Sequence, residues 1–226
     1  MPIRRHIKFS GVRQRNTIKN WTNKTPGTPA FILGNGPSLN DIDPEFLHPY
    51  LTIGINRAFY KLDPTILMWQ DIELWYTERK RILKLSAIKV CRNIADPQNR
   101  FFHFKLANGS FKIPENAQVL HGRGATGPIA VQLAYIMGCD PIILLGCDCK
   151  HRGGLTDFYG RNRQHRAHTM RNCRQGLTWM KETITDRRII SCSDNDVFEK
   201  QDFQTVMKDI SSEHRKQRNH WISLLI

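Results

Sequence analysis

The sequence predicts an α/β fold: a Rossmann-like, mostly parallel sheet with helices on both faces. Short aliphatic runs alternate with longer helical patterns, and this alternation is typical of strands joined by crossover helices. Residues 141–145 are continuously apolar, as in a strand that is buried on both faces. Glycine-rich turns occur at residues 34–38 and 122–127. In such folds the ligand binds at the carboxyl ends of the strands.

The individual elements follow from the same alternation. Strands are predicted over residues 30–33, 51–55, 65–69, 88–91, 101–104, 141–145 and 188–191. A short helix is predicted to end near residue 47, and longer helices are predicted over residues 75–85, 128–137 and 168–184. The chain shows no internal repeat.

The pattern divides the chain into three segments. Residues 1–27 lack hydrophobic periodicity and end in a Pro/Gly-rich stretch, so we expect a basic, flexible arm. This arm would be either a solvated tail or a segment that follows a phosphate backbone. Residues 28–195 would form a Rossmann-like nucleotide-binding catalytic domain. Residues 196–226 would form a helical, apolar extension that docks on this domain or on a second copy in a homo-oligomer.

Charge is the unusual property of this chain. It has 226 residues with 34 Lys and Arg against 20 Asp and Glu, a formal net charge of +14. Such an excess favours anionic partners: nucleic acid, a nucleotide, an acidic glycan or an acidic membrane surface. Between Lys150 and Lys181 the only carboxylate is Asp157. That basic segment lies inside the predicted domain, beside the candidate site.

Cysteine usage and hydropathy bear on the compartment. Six cysteines without an apolar leader favour reduced thiols and a cytoplasmic protein rather than a disulfide framework. No apolar run approaches the roughly 20 residues that span a bilayer. We therefore expect no signal peptide and no transmembrane segment.

Polar residues occur at the predicted end of successive strands. Because these ends meet at one edge of a parallel sheet, the residues are candidates for a nucleotide pocket. They are Asn35 and Ser38, Asn56 and Arg57, Gln70 and Asp71, Arg123 and Thr126, and Asp148.

The first glycine turn contains Gly34 and Gly36. Glycine permits positive φ and close approach of a ligand, Ser38 is suited to cap the following helix, and free N–H groups there suit a phosphate. The turn matches neither the dinucleotide fingerprint nor the Walker A loop.

The second turn, with Gly124 and Gly127, again opens a helix. Arg123 is either a phosphate ligand or a surface ion-pair partner, and Thr126 either binds the ligand or only caps the helix.

These motifs, taken in order, resemble those of a known group of enzymes. The stretch 34–39 (Gly-Asn-Gly-Pro-Ser-Leu), then Asn56, Thr126-Gly127 and residues 145–148 (Leu-Gly-Cys-Asp) resemble the bacterial sialyltransferases of the Campylobacter lipooligosaccharide type. They also resemble archaeal MptE-like 6-hydroxymethylpterin diphosphokinase-like proteins and flagellin motility-associated glycosyltransferases. The resemblance covers roughly residues 29–192.

The resemblance implies roles for particular residues. Asn35, Ser38, Asn56, Arg123 and Thr126 would hold a nucleotide donor. His168 would be the general base, with His165 as its rival and a surface histidine as the plain alternative. The sialyltransferases have a tyrosine pair that holds the leaving phosphate, whereas this chain has Tyr159 there among basic residues that include Lys150 and Arg161. These three residues would stabilise the charge of the leaving phosphate. The sialyltransferase branch implies no metal. The diphosphokinase branch implies ATP and Mg²⁺ near Asp71 or Asp148.

Other interpretations remain open from the sequence. Cys147, Cys149, His151 and Cys173 contain soft ligand atoms, but their spacing matches no common zinc motif. We predict a transferase that moves a glycosyl group from a nucleotide-sugar to a hydroxyl acceptor, which the charge suggests is anionic, either nucleic acid or an acidic glycan. The alternatives are a Mg²⁺-dependent, MptE-like diphosphokinase and a non-enzymatic nucleic-acid-binding protein on a Rossmann-like scaffold.

Overall fold

A computed structural model describes residues 16–92, 94, 98, 100–108, 112–113, 115–122, 124–160, 167–210, 214–216 and 218–226. Within these residues the strands are β1 (Ala30–Leu33), β2 (Leu51–Ile55), β3 (Ile66–Trp69), β4 (Ile88–Cys91), β5 (Phe102–His103), β6 (Lys105–Asn108), β7 (Val119–Gly122), β8 (Ile142–Leu145) and β9 (Ile189–Ser191). The α-helices are α1 (Ile72–Lys84), α2 (Thr126–Ile136), α3 (Ala167–Thr183), α4 (Phe203–Asp209) and α5 (Arg218–Leu225).

Seven of these strands form one sheet in the order β5-β4-β3-β2-β1-β8-β9. Every pairing in it is parallel, and Phe31 of β1 lies between Thr52 of β2 and Ile143 of β8. The chain extends the sheet from β1 in one direction up to β5 and later adds β8 and β9 on the other side of β1. The carboxyl ends of β1 and β8 therefore form the point where the strand order reverses, which is where ligands bind in open α/β sheets.

Helices cover both faces of the sheet because its central strands are apolar on both sides. Ile32 of β1 belongs to a core that includes α2, the inner residues of α3 and Trp221 of α5. Phe31 and Leu33 point to the opposite core, which includes buried residues of α4. All four residues of β1 are completely buried. The predicted fold class is confirmed.

The first glycine turn leads into a short 3-10 helix, Pro37–Asp41, rather than into an α-helix. The N-cap of this helix is Gly36, so Ser38 lies inside the helix and does not cap it. The separate two-stranded sheet of β6 and β7 was not predicted. Neither strand carries an apolar run longer than two residues, which leaves no periodic pattern to detect.

The amino-terminal segment departs from its prediction. Residues 18–21 form a 3-10 helix in which Ile18 and Trp21 are buried in the main core. The flexible-arm prediction is therefore wrong for residues 16–27, whereas residues 1–15 lie outside the described part of the chain. Two isolated apolar side chains anchor this segment, and they are too few to show periodicity.

The carboxyl-terminal segment packs on the domain. Phe203 and Val206 of α4 join one core, and Trp221 and Leu225 of α5 join the other. Among the described residues, no helix has both the length and the apolar character needed to cross a bilayer.

Candidate functional site

An open cleft of about 650 Å³ lies at the carboxyl edge of the sheet. It is bordered by the turns after β1, β2 and β8, by the start of α2 and by the first half of α3. The residues that line it include Gly34, Asn35, Gly36, Asn56, Thr126, Gly127, Asp148, Cys149, Lys150, Asp157, Thr169 and Cys173. The structure thus brings the two predicted glycine turns to one cavity.

The first glycine turn is tightly packed against the end of β8. A Cβ on Gly34 would lie 2.1 Å from the carbonyl oxygen of Gly146, and one on Gly36 would lie 2.5 Å from a carboxylate oxygen of Asp148. The N–H groups of Gly34 and Gly36 donate to Leu145 and Gly146, each at 2.7 Å. Glycine is needed here for the approach of two chain segments, not of a ligand.

Asp148 occupies the position that the sequence suggested for a phosphate. Its carboxylate accepts hydrogen bonds from the Ser38 N–H at 2.8 Å, from the Ser38 hydroxyl and from the Asp194 N–H at 3.1 Å. The residue is only 2% exposed. Burial raises the pKa of Asp148, although the hydrogen bonds from Ser38 and Asp194 act in the opposite direction. The expectation of a phosphate on free N–H groups at this turn is wrong for Gly34, Gly36 and Ser38, because the first two donate to backbone carbonyls and the third donates to Asp148.

Asn35 connects the first turn to β2. Its side-chain amide donates to the carbonyl of Ile55 at 2.8 Å, and its side-chain oxygen accepts from the Arg57 N–H at 3.1 Å. Asn56 follows with a left-handed backbone, φ 51°. Its Oδ1 is buried and has no hydrogen-bond partner among the described residues. A buried unpaired acceptor on a cleft wall suits a donor group of a ligand.

The start of α2 forms the opposite wall. Within the described part of the chain, no side chain caps this helix at Ala125, so none of these side chains competes for the N–H groups of Thr126 and Gly127. The Thr126 hydroxyl accepts from Gln70 Nε2 at 3.0 Å, which fixes the first turn against the end of β3. Gln70 does not line the cleft, and its Oε1 is buried without a partner among the described residues. Because α2 is continuous over 11 residues, its amino end favours negative charge.

Two ionisable side chains in the cleft, Lys150 and Asp157, differ in exposure and in their polar contacts. Lys150 pairs with Asp194 at 3.0 Å and remains partly exposed. Asp157 is only 4% exposed, and its one hydrogen-bond donor among the described residues is the Thr156 hydroxyl at 3.3 Å. A buried carboxylate normally accepts more than one hydrogen bond. With respect to the described residues, Asp157 therefore retains the capacity to accept from a ligand.

Arg57 and Tyr159 lie outside the main cleft. Arg57 is 5% exposed, and it donates to Glu78 at 3.4 Å and to Thr77 at 3.1 Å. Both residues line a smaller neighbouring cavity of about 330 Å³, which shares Asn35 and Asn56 with the cleft. The local pattern around Arg57 gave no sign of Glu78, which lies on α1.

The remaining predicted residues are dispersed. Gly124 is exposed with φ 89° and does not line the cleft. His168 is exposed at the start of α3 and contacts Thr169, whereas Thr169 itself lines the cleft. Arg123, Arg161 and His165 lie outside the described residues, so their roles stay predictions.

The cysteines differ from expectation. Cys149 and Cys173 form a disulfide with their Cα atoms 5.8 Å apart, so the expectation of reduced thiols is wrong for this pair. A zinc site built on Cys147, Cys149, His151 and Cys173 would lose two of its ligands to this bond. No group of three or more potential ligands occurs within the described ranges.

The sequence analysis did not predict that Asp157 lines the cleft. The sequence did contain an indication of this, since Asp157 is the only acidic residue in a basic segment. Thr169 and Cys173 were missed because only the folding of α3 onto the edge of the sheet brings them there.

Comparison with known proteins gives structural neighbours only. No protein-family model matches this chain, and no curated protein matches it by sequence. One similar structure is the sialyltransferase CstII from Campylobacter jejuni in complex with a substrate analogue, cytidine-5'-monophosphate. It has 13% identity and a TM-score of 0.46, over 74% of this chain and 80% of that one.

A second similar structure is the monofunctional alpha-2,3-sialyltransferase Cst-I from Campylobacter jejuni. It has 15% identity and a TM-score of 0.45, over 73% of this chain and 75% of that one. The activities named for these two proteins are properties of those proteins.

Proposed function

We propose that this protein is a glycosyltransferase that binds a nucleotide-sugar in the cleft and transfers its glycosyl group to a hydroxyl acceptor. The observation that carries the proposal is the cleft itself. It combines the start of α2, the partly exposed Lys150 and the buried Oδ1 of Asn56, and no described side chain caps the helix or bonds to this oxygen. The order of motifs in the sequence, which resembles that of bacterial sialyltransferases, is consistent with glycosyl transfer.

The charged part of the donor belongs at the α2 wall. A phosphate there would accept from the first N–H groups of α2 and lie within the field of its amino end. Lys150 would add a mobile positive charge, since its partner Asp194 is itself partly exposed. The side-chain oxygen of Asn56 would accept from an amine or hydroxyl of the nucleoside. This arrangement stabilises the negative charge that develops on the leaving nucleotide.

Transfer also needs a group that accepts the acceptor's proton. The bond between the anomeric carbon and the phosphate oxygen breaks, the acceptor oxygen bonds to that carbon, and its proton passes to a base. Asp157 is the lining carboxylate with free hydrogen-bond capacity, because Asp148 already accepts three hydrogen bonds. We therefore assign the base to Asp157 ahead of the exposed His168.

The diphosphokinase alternative is less favoured by the cleft. The resemblance to the diphosphokinases places Mg²⁺ near Asp71 or Asp148, and the carboxylate of Asp148 is already engaged by Ser38 and Asp194. Asp71 is exposed and borders the smaller cavity instead.

A thermal-shift panel tests the proposal. The protein is heated with CMP, UDP or ATP, each with and without Mg²⁺. We expect one pyrimidine nucleotide to raise Tm without Mg²⁺, because a ligand at 100 times its Kd stabilises by about 2.7 kcal/mol. Lys150→Gln should reduce the shift, whereas Lys84→Gln, an exposed change at the end of α1, should retain it. A shift with ATP that requires Mg²⁺ would instead favour the diphosphokinase, and no shift with any nucleotide would refute the proposal.

A second experiment separates the two candidate bases. With the donor sugar of the nucleotide that binds, Asp157→Asn should retain the nucleotide-induced Tm shift but lower turnover by about 100-fold or more. His168→Ala should keep turnover close to that of the wild type. A loss of turnover in His168→Ala but not in Asp157→Asn would instead identify His168 as the base.

A further inference from the structure

Two cysteines on the cleft wall lie in different elements and are joined. Cys149 follows β8 with a left-handed backbone, φ 53°, and Cys173 lies in the second turn of α3. Their Cα atoms are 5.8 Å apart, a separation usual for disulfides. Both residues are partly exposed and line the cleft. Small molecules that enter the cleft therefore reach this bond.

The other cysteines are poor competitors for oxidation. Cys91, Cys139, Cys147 and Cys192 are all buried. Burial raises the pKa of Cys139 and of Cys147 to about 12, and that of Cys192 to about 11. Since the thiolate is the reactive form, these thiols stay inert near neutral pH. Thiol chemistry is thereby confined to the Cys149–Cys173 pair.

The disulfide lies against the wall that we assign to the donor phosphate. A methyl group on Gly127, the second residue of α2, would lie 3.6 Å from Cys173 Sγ. Cys149 directly precedes Lys150, the other group assigned to that phosphate. The bond therefore ties the loop after β8 to α3 beside the amino end of α2.

We propose that Cys149 and Cys173 form a reversible redox site that couples thiol oxidation to ligand binding in the cleft. Two equivalents of a small thiol such as glutathione reduce it: the protein S–S bond breaks, both cysteines gain a proton, and the two small thiols become one disulfide. The reverse exchange restores the protein bond, with two electrons moving in each direction. The coupling rests on the proposed function, whereas the redox site does not.

The direction of the coupling follows from the tether. In the oxidised form α3 is held against the loop that carries Lys150, so this part of the cleft is ordered before the ligand binds. In the reduced form this constraint is lost, and binding must also order the loop. Oxidation should therefore tighten nucleotide binding, by about fivefold or more.

The redox site is tested without any ligand. The full-length protein is equilibrated in glutathione buffers of graded ratio, quenched with an alkylating reagent and analysed by peptide mass spectrometry. Cys149 and Cys173 should lose alkylation together in one two-electron transition, while Cys139, Cys147 and Cys192 remain thiols. If the pair stays alkylated in fully oxidised glutathione, or if other cysteines oxidise first, the redox site is refuted.

The coupling is tested with CMP as the probe, by titration of the oxidised and the reduced wild type. A Cys149→Ala/Cys173→Ala variant serves as the control, since it cannot form the bond. We expect tighter CMP binding to the oxidised form and an affinity of the variant that does not respond to glutathione. Equal affinities in the two forms, or no CMP binding at all, would refute the coupling. A clear thiol transition without binding of CMP, UDP or ATP would refute the proposed function and leave the redox site standing.

Discussion

Asn56 combines an uncommon backbone with an unsatisfied side chain. Its φ of 51° lies in the left-handed region, which favours Gly and Asn, and its Oδ1 is buried without a described partner. Backbone strain and unpaired polar atoms tend to occur together at functional sites. The residue therefore offers a direct test of the cleft.

Two substitutions separate the backbone of Asn56 from its side chain. Asn56→Gly keeps the left-handed conformation and should leave the free energy of unfolding nearly unchanged, whereas Asn56→Ala should lower it by about 1 kcal/mol. Both should lose most of the nucleotide-induced Tm shift, because both lack the acceptor oxygen. Chemical denaturation and thermal shift give the two readouts. A full shift in either variant would show that the side chain does not contact the nucleotide.

Gly34 is required by packing. Gly34→Ala should lower the free energy of unfolding by about 3 kcal/mol, because its methyl group would meet the backbone of Gly146 at 2.1 Å. Gly127→Ala is the matched control, since its methyl would lie at ordinary contact distances from Cys173 and Ile55. It should be neutral or stabilising. Urea unfolding measures both, and a tolerated Gly34→Ala would contradict the tight packing of the two turns.

The location of Gly34 and Asn56 was predictable from the sequence, but their physical roles were not. A turn after an aliphatic run places a residue at the end of a strand, and this position follows from the local sequence alone. What meets that turn, Gly146 and Asp148 at the end of β8, is distant in sequence and leaves no local signal. Arg57 was likewise predicted to bind the nucleotide, whereas in the structure its side chain pairs with Glu78 of α1.

The strands of the main sheet were predicted better than the helix after β1 and better than the small second sheet. β2 was predicted at its observed bounds, because a fully buried strand must be apolar throughout. The helix after β1 is a short 3-10 segment, which has no 3.6-residue pattern. β6 and β7 pair with each other outside the main sheet, and their residues show no pattern that predicts this pairing.

Arg218 holds α5 to the domain through a charged contact. It donates to Asp63 at 2.9 Å and to the carbonyl of Pro64 at 2.6 Å. Burial raises the pKa of Asp63, but hydrogen bonds from Arg218 and Ser86 outweigh it, so that the net pKa is lowered. A lowered carboxylate pKa adds stability above the unfolded-state value, and this stability is lost as the pH falls through the folded-state value.

Arg218→Ala should therefore lower the free energy of unfolding at pH 7 by about 1–2 kcal/mol. The difference from the wild type should shrink as the pH falls below about 4, because Asp63 becomes protonated in both proteins. Denaturant unfolding at pH 7, 5, 4 and 3 measures it. Arg215→Ala is the control, since Arg215 donates to the neutral Tyr50 hydroxyl at 3.0 Å. A difference that stays constant with pH for Arg218→Ala would contradict the pairing.

At the scale of the whole molecule, the sheet has two unlike edges. The carboxyl edge carries the cleft, and the amino edge carries another cavity, of about 730 Å³, between Pro29, Asp140 and Arg188. In that cavity Asp140 is already paired with Arg188. Nucleotide binding should therefore slow hydrogen exchange at the carboxyl edge and leave exchange at the amino edge unchanged.

Hydrogen exchange with and without CMP tests this asymmetry. Amides in residues 54–58, 125–130 and 147–150 should exchange more slowly with CMP, because they border the cleft. Residues 27–29 and 139–141 at the amino edge should be unaffected and serve as the internal control. Protection confined to the amino edge would place the nucleotide in the other cavity.

The hydrogen bonds of Asp148 also bear on how the protein folds. This one carboxylate joins Ser38, 110 residues away in the sequence, to Asp194, 46 residues further along. Contacts between such distant segments close large loops and tend to form late. During synthesis, the edge that would receive a nucleotide is incomplete until β9 and the turn after it have emerged from the ribosome. Nucleotide recognition would thus report that the segments from β1 to the turn after β9 have reached their native arrangement.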